Sequence, residues 1–218
     1  MTGFRTAVAP LVVILGALAA AVPAAAQDAL SGRELVAALR DGGYNVYFPH
    51  AATDWGNGDD VDAAGDWTSC DPDEMRQLSD RGRATARAIG AAIRALDVPV
   101  SEVLSSEYCR CAETARLMDL GPVRTTRKIM NTRADDYVGG RAAVVRRARE
   151  VLSSAPPEGG NRIIVGHGNL MRAATGAYAG EGGSAIYRPD PDAEHGFVLV
   201  ARLSPDDWQR LAERGTGG

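Results

Sequence analysis

A chain of 218 residues has room for one domain with a full core. Its net charge of −4 and pI near 5.4 exclude a general nucleic-acid binder, which needs a basic field over its surface. With 45% hydrophobic and 24% charged residues, the composition is that of an ordinary globular protein.

The N-terminus departs from that average. One positive charge, Arg5, precedes an apolar run from Ala7 to Val22, and Pro23-Ala24-Ala25-Ala26-Gln27 follows with small residues where a signal peptidase reads. This pattern predicts a secretory signal peptide over residues 1–26, cut after Ala26, and one domain over residues 27–218. The rival reading, an uncleaved anchor, has a run of marginal length that is rich in alanine. The expectation is an exported protein, periplasmic or secreted, with no stable membrane association after cleavage.

Export makes the three cysteines informative, because an oxidising compartment permits disulfides. Cys109 and Cys111 diverge on a helix, so Cys70 is the partner for one of them. A Cys70–Cys109 bridge with Cys111 free is the preferred pairing, and Cys70–Cys111 stays open. Zinc has no Cys-x-x-Cys or His-x-x-x-His spacing behind it, so no metal and no cofactor are expected.

Ser31 opens the first predicted helix, running to Arg40, with Glu34 placed as in a capping box. Asp41-Gly42-Gly43 stops it and leads into the β-prone run Tyr44-Asn45-Val46-Tyr47-Phe48, which ends at Pro49-His50. Residues 56–69 read as a long loop beyond His50, rich in glycine and aspartate, with Trp55 and Trp67 to line a pocket or pin the loop. Asp71-Pro72 predicts a short helical turn. Ser79 starts the longest helix, about residues 80–96, with Ala84, Ala88, Ile89, Ala92, Ile93 and Leu96 as its inner face.

Residues 98–105 form a second buried strand, after which Ser106 is placed to cap a helix carrying Arg110 and Glu113. A short strand within 121–130, a helix over 139–152, the Ile163 strand, a helix from Asn169 and a Gly-rich loop at 180–183 follow. A strand over 195–203 and a helix capped at Ser204-Pro205-Asp206-Asp207 close the chain. Alternating strands and helices predict an α/β fold, a three-layer αβα sandwich with a mainly parallel central sheet.

Three predicted strands end in polar motifs: Pro49-His50, Ser105-Ser106 leading to Arg110, and Gly166-His167-Gly168. Parallel strands deliver such ends to one edge of the sheet. Two imidazoles and a guanidinium there make an anion site with a nucleophile, since a neutral imidazole can attack phosphorus and hold the phosphoryl group. His195 has no motif around it and is read as structural.

In order and spacing, Pro49-His50-Ala51, Ser105-Ser106-Glu107-Tyr108-Cys109-Arg110-Cys111-Ala112-Glu113-Thr114-Ala115 and Gly166-His167-Gly168-Asn169 resemble the histidine phosphatase superfamily, which includes cofactor-dependent phosphoglycerate mutase. The resemblance implies hydrolysis of a small phosphorylated substrate through a phosphohistidine on His50. It implies that Arg110 binds the phosphoryl oxygens and that His167 stabilises the transferring group, with Thr53 and Asn169 at the substrate. The general acid is expected at Asp135 or Asp136. The chain departs from the family pattern at Pro49, where an arginine should stand and donate to the phosphate. The rival reading is therefore a phosphatase-like binding module disabled at that position.

Overall fold

The computed structural model describes residues 3, 30–54, 58, 59 and 61–215. The segment read as a signal peptide lies outside the described residues, as do Trp55, Gly56 and Asn57. Among the described residues six strands form one sheet: β1 (Asn45–Pro49), β2 (Val100–Ser106), β3 (Val123–Thr126), β4 (Asn161–Gly166), β5 (Ser184–Pro189) and β6 (Phe197–Leu203). Their order across the sheet is β3-β2-β4-β1-β5-β6. The pairings of β1 with β4, β2 with β4 and β2 with β3 are parallel, and β5 and β6 join antiparallel at one side.

The helices are α1 (Gly32–Asp41), α2 (Asp80–Ala95), α3 (Cys109–Met118), α4 (Arg141–Ser153), α5 (Gly168–Thr175) and α6 (Pro205–Gly215). One group packs α2 against α3 and α6; the other packs α4 against α5. This is the αβα layering expected from the alternation of elements. Every residue of β1 and β4 is buried, because helices cover both faces of the sheet centre. The two strands run in register from Asn45 beside Arg162 to Pro49 beside Gly166, so residues 50 and 167 leave the sheet together.

Several local expectations change. Ser79 caps α2 with its side chain, accepting from the Gly82 amide, whereas Ser31 stands at the N-cap of α1 without a side-chain cap bond. Of the predicted inner face of α2, Ile89, Ala92, Ile93 and Leu96 are buried, whereas Ala84 is exposed, Ala88 is half-buried, and Ala86 and Gly90 are buried in addition. Alanine is neutral enough to sit on either face, and the close approach of α3 falls at Gly90. A Cβ on Gly90 would lie 1.8 Å from the Met118 carbonyl oxygen, so glycine permits the contact. Ser106 stays in β2 and does not cap α3, whose N-cap is Tyr108. Asp71-Pro72 opens a single turn as expected, the Met75 amide donating to the Asp71 carbonyl at 2.9 Å. Strand β5 has no counterpart among the predicted elements, because Ser184–Pro189 is a short run that ends in an arginine and a proline.

A disulfide joins Cys70 to Cys109, and Cys111 remains a buried thiol. The bridge fastens the loop after β1 to the start of α3. With a sequence separation of 39 it stabilises the fold by roughly 3–4 kcal/mol in the chain-entropy account. Trp67 pins the same loop: it is fully buried and its Nε1 donates to Glu107 at 2.9 Å.

Candidate active site

The C-terminal ends of β1, β2 and β4 meet at a cleft of about 180 Å³ lined by Pro49, His50, Asp59, Arg76, Asn131, Arg133, His167, Gly168, Asn169, Tyr178 and Glu181. His50 follows β1 directly, and its backbone amide donates to the Gly166 carbonyl at 2.8 Å, extending the β1–β4 ladder by one bond. Its Nδ1 lies 2.9 Å from the Ala51 carbonyl oxygen. A carbonyl only accepts, so Nδ1 carries the proton and Nε2 keeps its lone pair. Among the described residues Nε2 has no hydrogen-bond partner.

Burial, reinforced by the Arg110 charge, lowers the His50 pKa to about 3, so the ring is neutral at pH 7. His167 is likewise held well below the usual imidazole range, first by burial and then by Arg110 and His50. The two rings meet edge to face with centroids 5.6 Å apart.

His167 is fixed on all sides. Asn131 Oδ1 accepts from the Asn169 side chain at 2.7 Å and from the Arg133 amide at 2.9 Å, which orients its amide group. Asn131 Nδ2 must then donate to His167 Nδ1, 3.2 Å away, and His167 Nε2–H donates to Ser106 Oγ at 3.0 Å. The Tyr47 hydroxyl accepts from the His167 amide at 2.9 Å and donates to its carbonyl at 3.1 Å. Gly166 leaves room for that hydroxyl, which would lie 2.3 Å from a Cβ there. Both ring nitrogens of His167 thus have protein partners, so it orients the site more directly than it could donate to a phosphate.

Arg110 is 1% exposed and not part of the cleft wall. Its Nη1 and Nη2 donate to the two carboxylate oxygens of Asp59 at 2.7 and 2.8 Å. Its guanidinium lies over the Tyr108 ring, 4.5 Å from the centroid, and that ring also meets His167 edge to face. Cys111 lies beneath, its Sγ 3.5 Å from His167 Nε2, and burial pushes its thiol up to about 12, so it is not a thiolate at neutral pH.

Of the residues singled out in the sequence, His50, His167 and Asn169 are brought together at the cleft, and Arg110 lies behind it. Asn169 Oδ1 is buried without a protein partner. Thr53 is buried beside the cleft and donates to Glu181 Oε1 at 3.2 Å. Asp135 and Asp136 do not reach it: they belong to a 3-10 helix over Asp135–Val138, outside the cleft wall. The cleft carboxylates are instead Asp59 and Glu181. Sequence reasoning missed both, along with Arg76, Asn131 and Arg133, all of which sit on connections. The only signals were the length of the loop after His50 and the glycines around Glu181.

Residues 50–142 match the family model of the histidine phosphatase superfamily (branch 1), with the nucleophile candidate at the start of the match and Arg110 within it. Over that span the chain is similar to the histidine phosphatase superfamily. Solved structures share the histidine phosphatase fold. The protein histidine phosphatase SixA complexed with tungstate superposes with a TM-score of 0.52 at 15% identity, covering 75% of this chain and 98% of that one. A phosphoserine phosphatase of Entamoeba histolytica with 3-phosphoglyceric acid gives 0.51 at 12% identity, over 76% and 98%. A mycobacterial hydrolase gives 0.50 at 16% identity, over 73% and 98%. No curated protein matches the sequence.

Proposed function

We propose that this histidine phosphatase superfamily chain hydrolyses phosphomonoesters through a phosphohistidine on His50. The observation that carries the reading is the state of that ring: neutral, with its proton on Nδ1 and an unpartnered lone pair on Nε2, in a cleft lined by guanidinium groups. In the first step the Nε2 lone pair attacks phosphorus, the P–O ester bond breaks, and the leaving oxygen takes a proton. In the second, water attacks the phosphohistidine and returns a proton to the carboxylate that gave one up, the P–N bond breaks and inorganic phosphate departs.

Proton delivery falls to Glu181, the cleft carboxylate that forms no ion pair among the described residues. Its loop is tied to the nucleophile, since the Gly182 amide donates to the His50 carbonyl at 3.0 Å. The substrate is a small phosphorylated molecule, in keeping with the cleft's size. Export to the periplasm or beyond is part of the proposal, supported by the apolar N-terminal pattern and by the disulfide.

A second reading has a specific observation behind it. Pro49 supplies no donor, and Asp59 occupies Arg110, as in a binding module that has lost turnover. One experiment separates the two: incubation with a radiolabelled aryl phosphate, acid-stable and acid-labile phosphate being scored separately. Wild type is expected to form an acid-labile label on His50, and His50→Ala to lose both label and turnover. A wild-type protein with neither leaves the binding module standing.

A further inference from the structure

A phosphoryl group on His50 Nε2 needs positive charge and donors at its non-bridging oxygens. Both imidazoles are neutral at pH 7 and supply no charge. Arg110 is spent on Asp59, and withdrawing it would strand a buried carboxylate. The guanidinium groups on the cleft wall are those of Arg76 and Arg133. Arg76 stands close enough for its charge to oppose protonation of both His50 and His167. Arg133 is exposed and has no carboxylate within ion-pair distance among the described residues.

The Arg110–Asp59 pair also holds the backbone of Arg76 from two sides. Arg110 Nη1 donates to the Arg76 carbonyl at 3.4 Å, and the Arg76 amide donates to Asp59 Oδ1 at 3.3 Å. An isolated bridge pairs Asp59 with Met75 next door, and the Cys70–Cys109 disulfide ties the same loop to the residue before Arg110. Four links thus converge on the segment that carries Arg76, two from the helix that carries Arg110 and two from Asp59.

We propose that Arg76, assisted by Arg133, is the phosphate-binding residue of this site, and that the Arg110–Asp59 pair is the scaffold that positions it. The cation missing at position 49 is then supplied from the disulfide-anchored loop instead of from β1. The proposal rests on the phosphohistidine reading for its substrate class, but its ligand, a tetrahedral oxyanion, is tested without turnover.

Inorganic phosphate is titrated calorimetrically into the oxidised, exported protein at low ionic strength. Wild type is expected to bind it, and Arg76→Gln to weaken binding about 10- to 100-fold, as for loss of a charged donor. Arg76→Lys should recover part of that loss, because it keeps the charge but not the fork. Arg133→Gln should weaken binding less than Arg76→Gln. Wild-type affinity in both glutamine variants overturns the proposal, as does a wild-type protein that binds no phosphate. If Arg76→Gln does not fold, Arg76→Lys and Arg133→Gln decide, and unchanged affinity in both overturns it. The two readings fail separately. Phosphate binding lost in Arg76→Gln without label on His50 removes the hydrolase reading alone. Label on His50 with unaltered phosphate affinity in Arg76→Gln removes this one alone.

Discussion

Two buried arginines, each facing a carboxylate, sit at opposite ends of the sheet. Arg162 stands where β1 and β4 begin. Its Nε pairs with Glu102, its Nη1 donates to Asn45 Oδ1 at 2.9 Å and to the Ser154 carbonyl at 3.0 Å, and its Nη2 donates to the Ala155 carbonyl at 3.0 Å. Arg110 stands where the strands end. It has Asp59, the Arg76 carbonyl and the Tyr108 ring, but its Nε is buried without a partner, as are the Tyr108 hydroxyl and Asn169 Oδ1. One end is a closed polar network and the other carries unmet hydrogen-bonding capacity. A fold can complete its bonds at one end and keep the other end poised for a ligand.

The largest test of this contrast is Glu102→Ala. It leaves Arg162 with a buried charge and no counter-ion, and is expected to cost about 3–5 kcal/mol in chemical denaturation. Phosphate affinity should be unchanged, since the network touches nothing in the cleft. A matching loss of phosphate binding in folded protein would show that the two ends are coupled and break the comparison.

Glu181→Gln probes the reactive end. Alkyl phosphates, whose leaving oxygen needs a proton, are expected to lose about 10²-fold in kcat/KM. An aryl phosphate whose phenolate leaves unaided should lose much less. Equal losses on both substrates would remove Glu181 from proton transfer.

The pH dependence of stability sharpens the contrast further. The folded-state pKa of His50, about 3, lies below that of the unfolded chain, so between these values the unfolded state binds more protons. The neutral ring's contribution is complete above about pH 6.5 and is lost as pH falls toward 3. Between pH 6.5 and 5 the cost is about 2 kcal/mol. His50→Gln should reduce that slope in thermal unfolding and leave the part that buried His167 contributes, and a slope unchanged by the substitution would contradict burial of a neutral His50.

Pro49→Arg is expected to have the smallest effect. On the motif alone, restoring the arginine should raise kcat/KM by about 10²–10³. With Arg76 already on the cleft wall, a second guanidinium beside it meets like-charge repulsion, and the expected gain falls below about tenfold. A gain of the full size would return the phosphate-clamping role to position 49.

Much of this was legible in the residues. The apolar run before Pro49-His50 and its counterpart before Gly166-His167 marked β1 and β4, because a strand buried on both faces must be apolar throughout. Ser79 ahead of a long amphipathic segment marked α2. The terminal helix is marked by Ser204 and Asp207, which cap one another as the pattern requires. The alanine face of α2 and strand β5 were less legible, because small or short apolar segments take their orientation from what packs on them.

By itself the sequence determined the alternation of elements, the parallel part of the sheet and the arrival of His50 and His167 at one edge. Periodicity and parallel pairing are local or nearly local rules, and they suffice for that. Only the tertiary structure decided which charges meet those histidines. Asp59, Arg76, Arg133 and Glu181 ride on loops without periodicity, and their positions follow from a disulfide, a buried ion pair and backbone bonds to residues far away in the chain. The same long-range contacts hold Arg110 behind the cleft wall, since a carboxylate 51 residues earlier reaches it first.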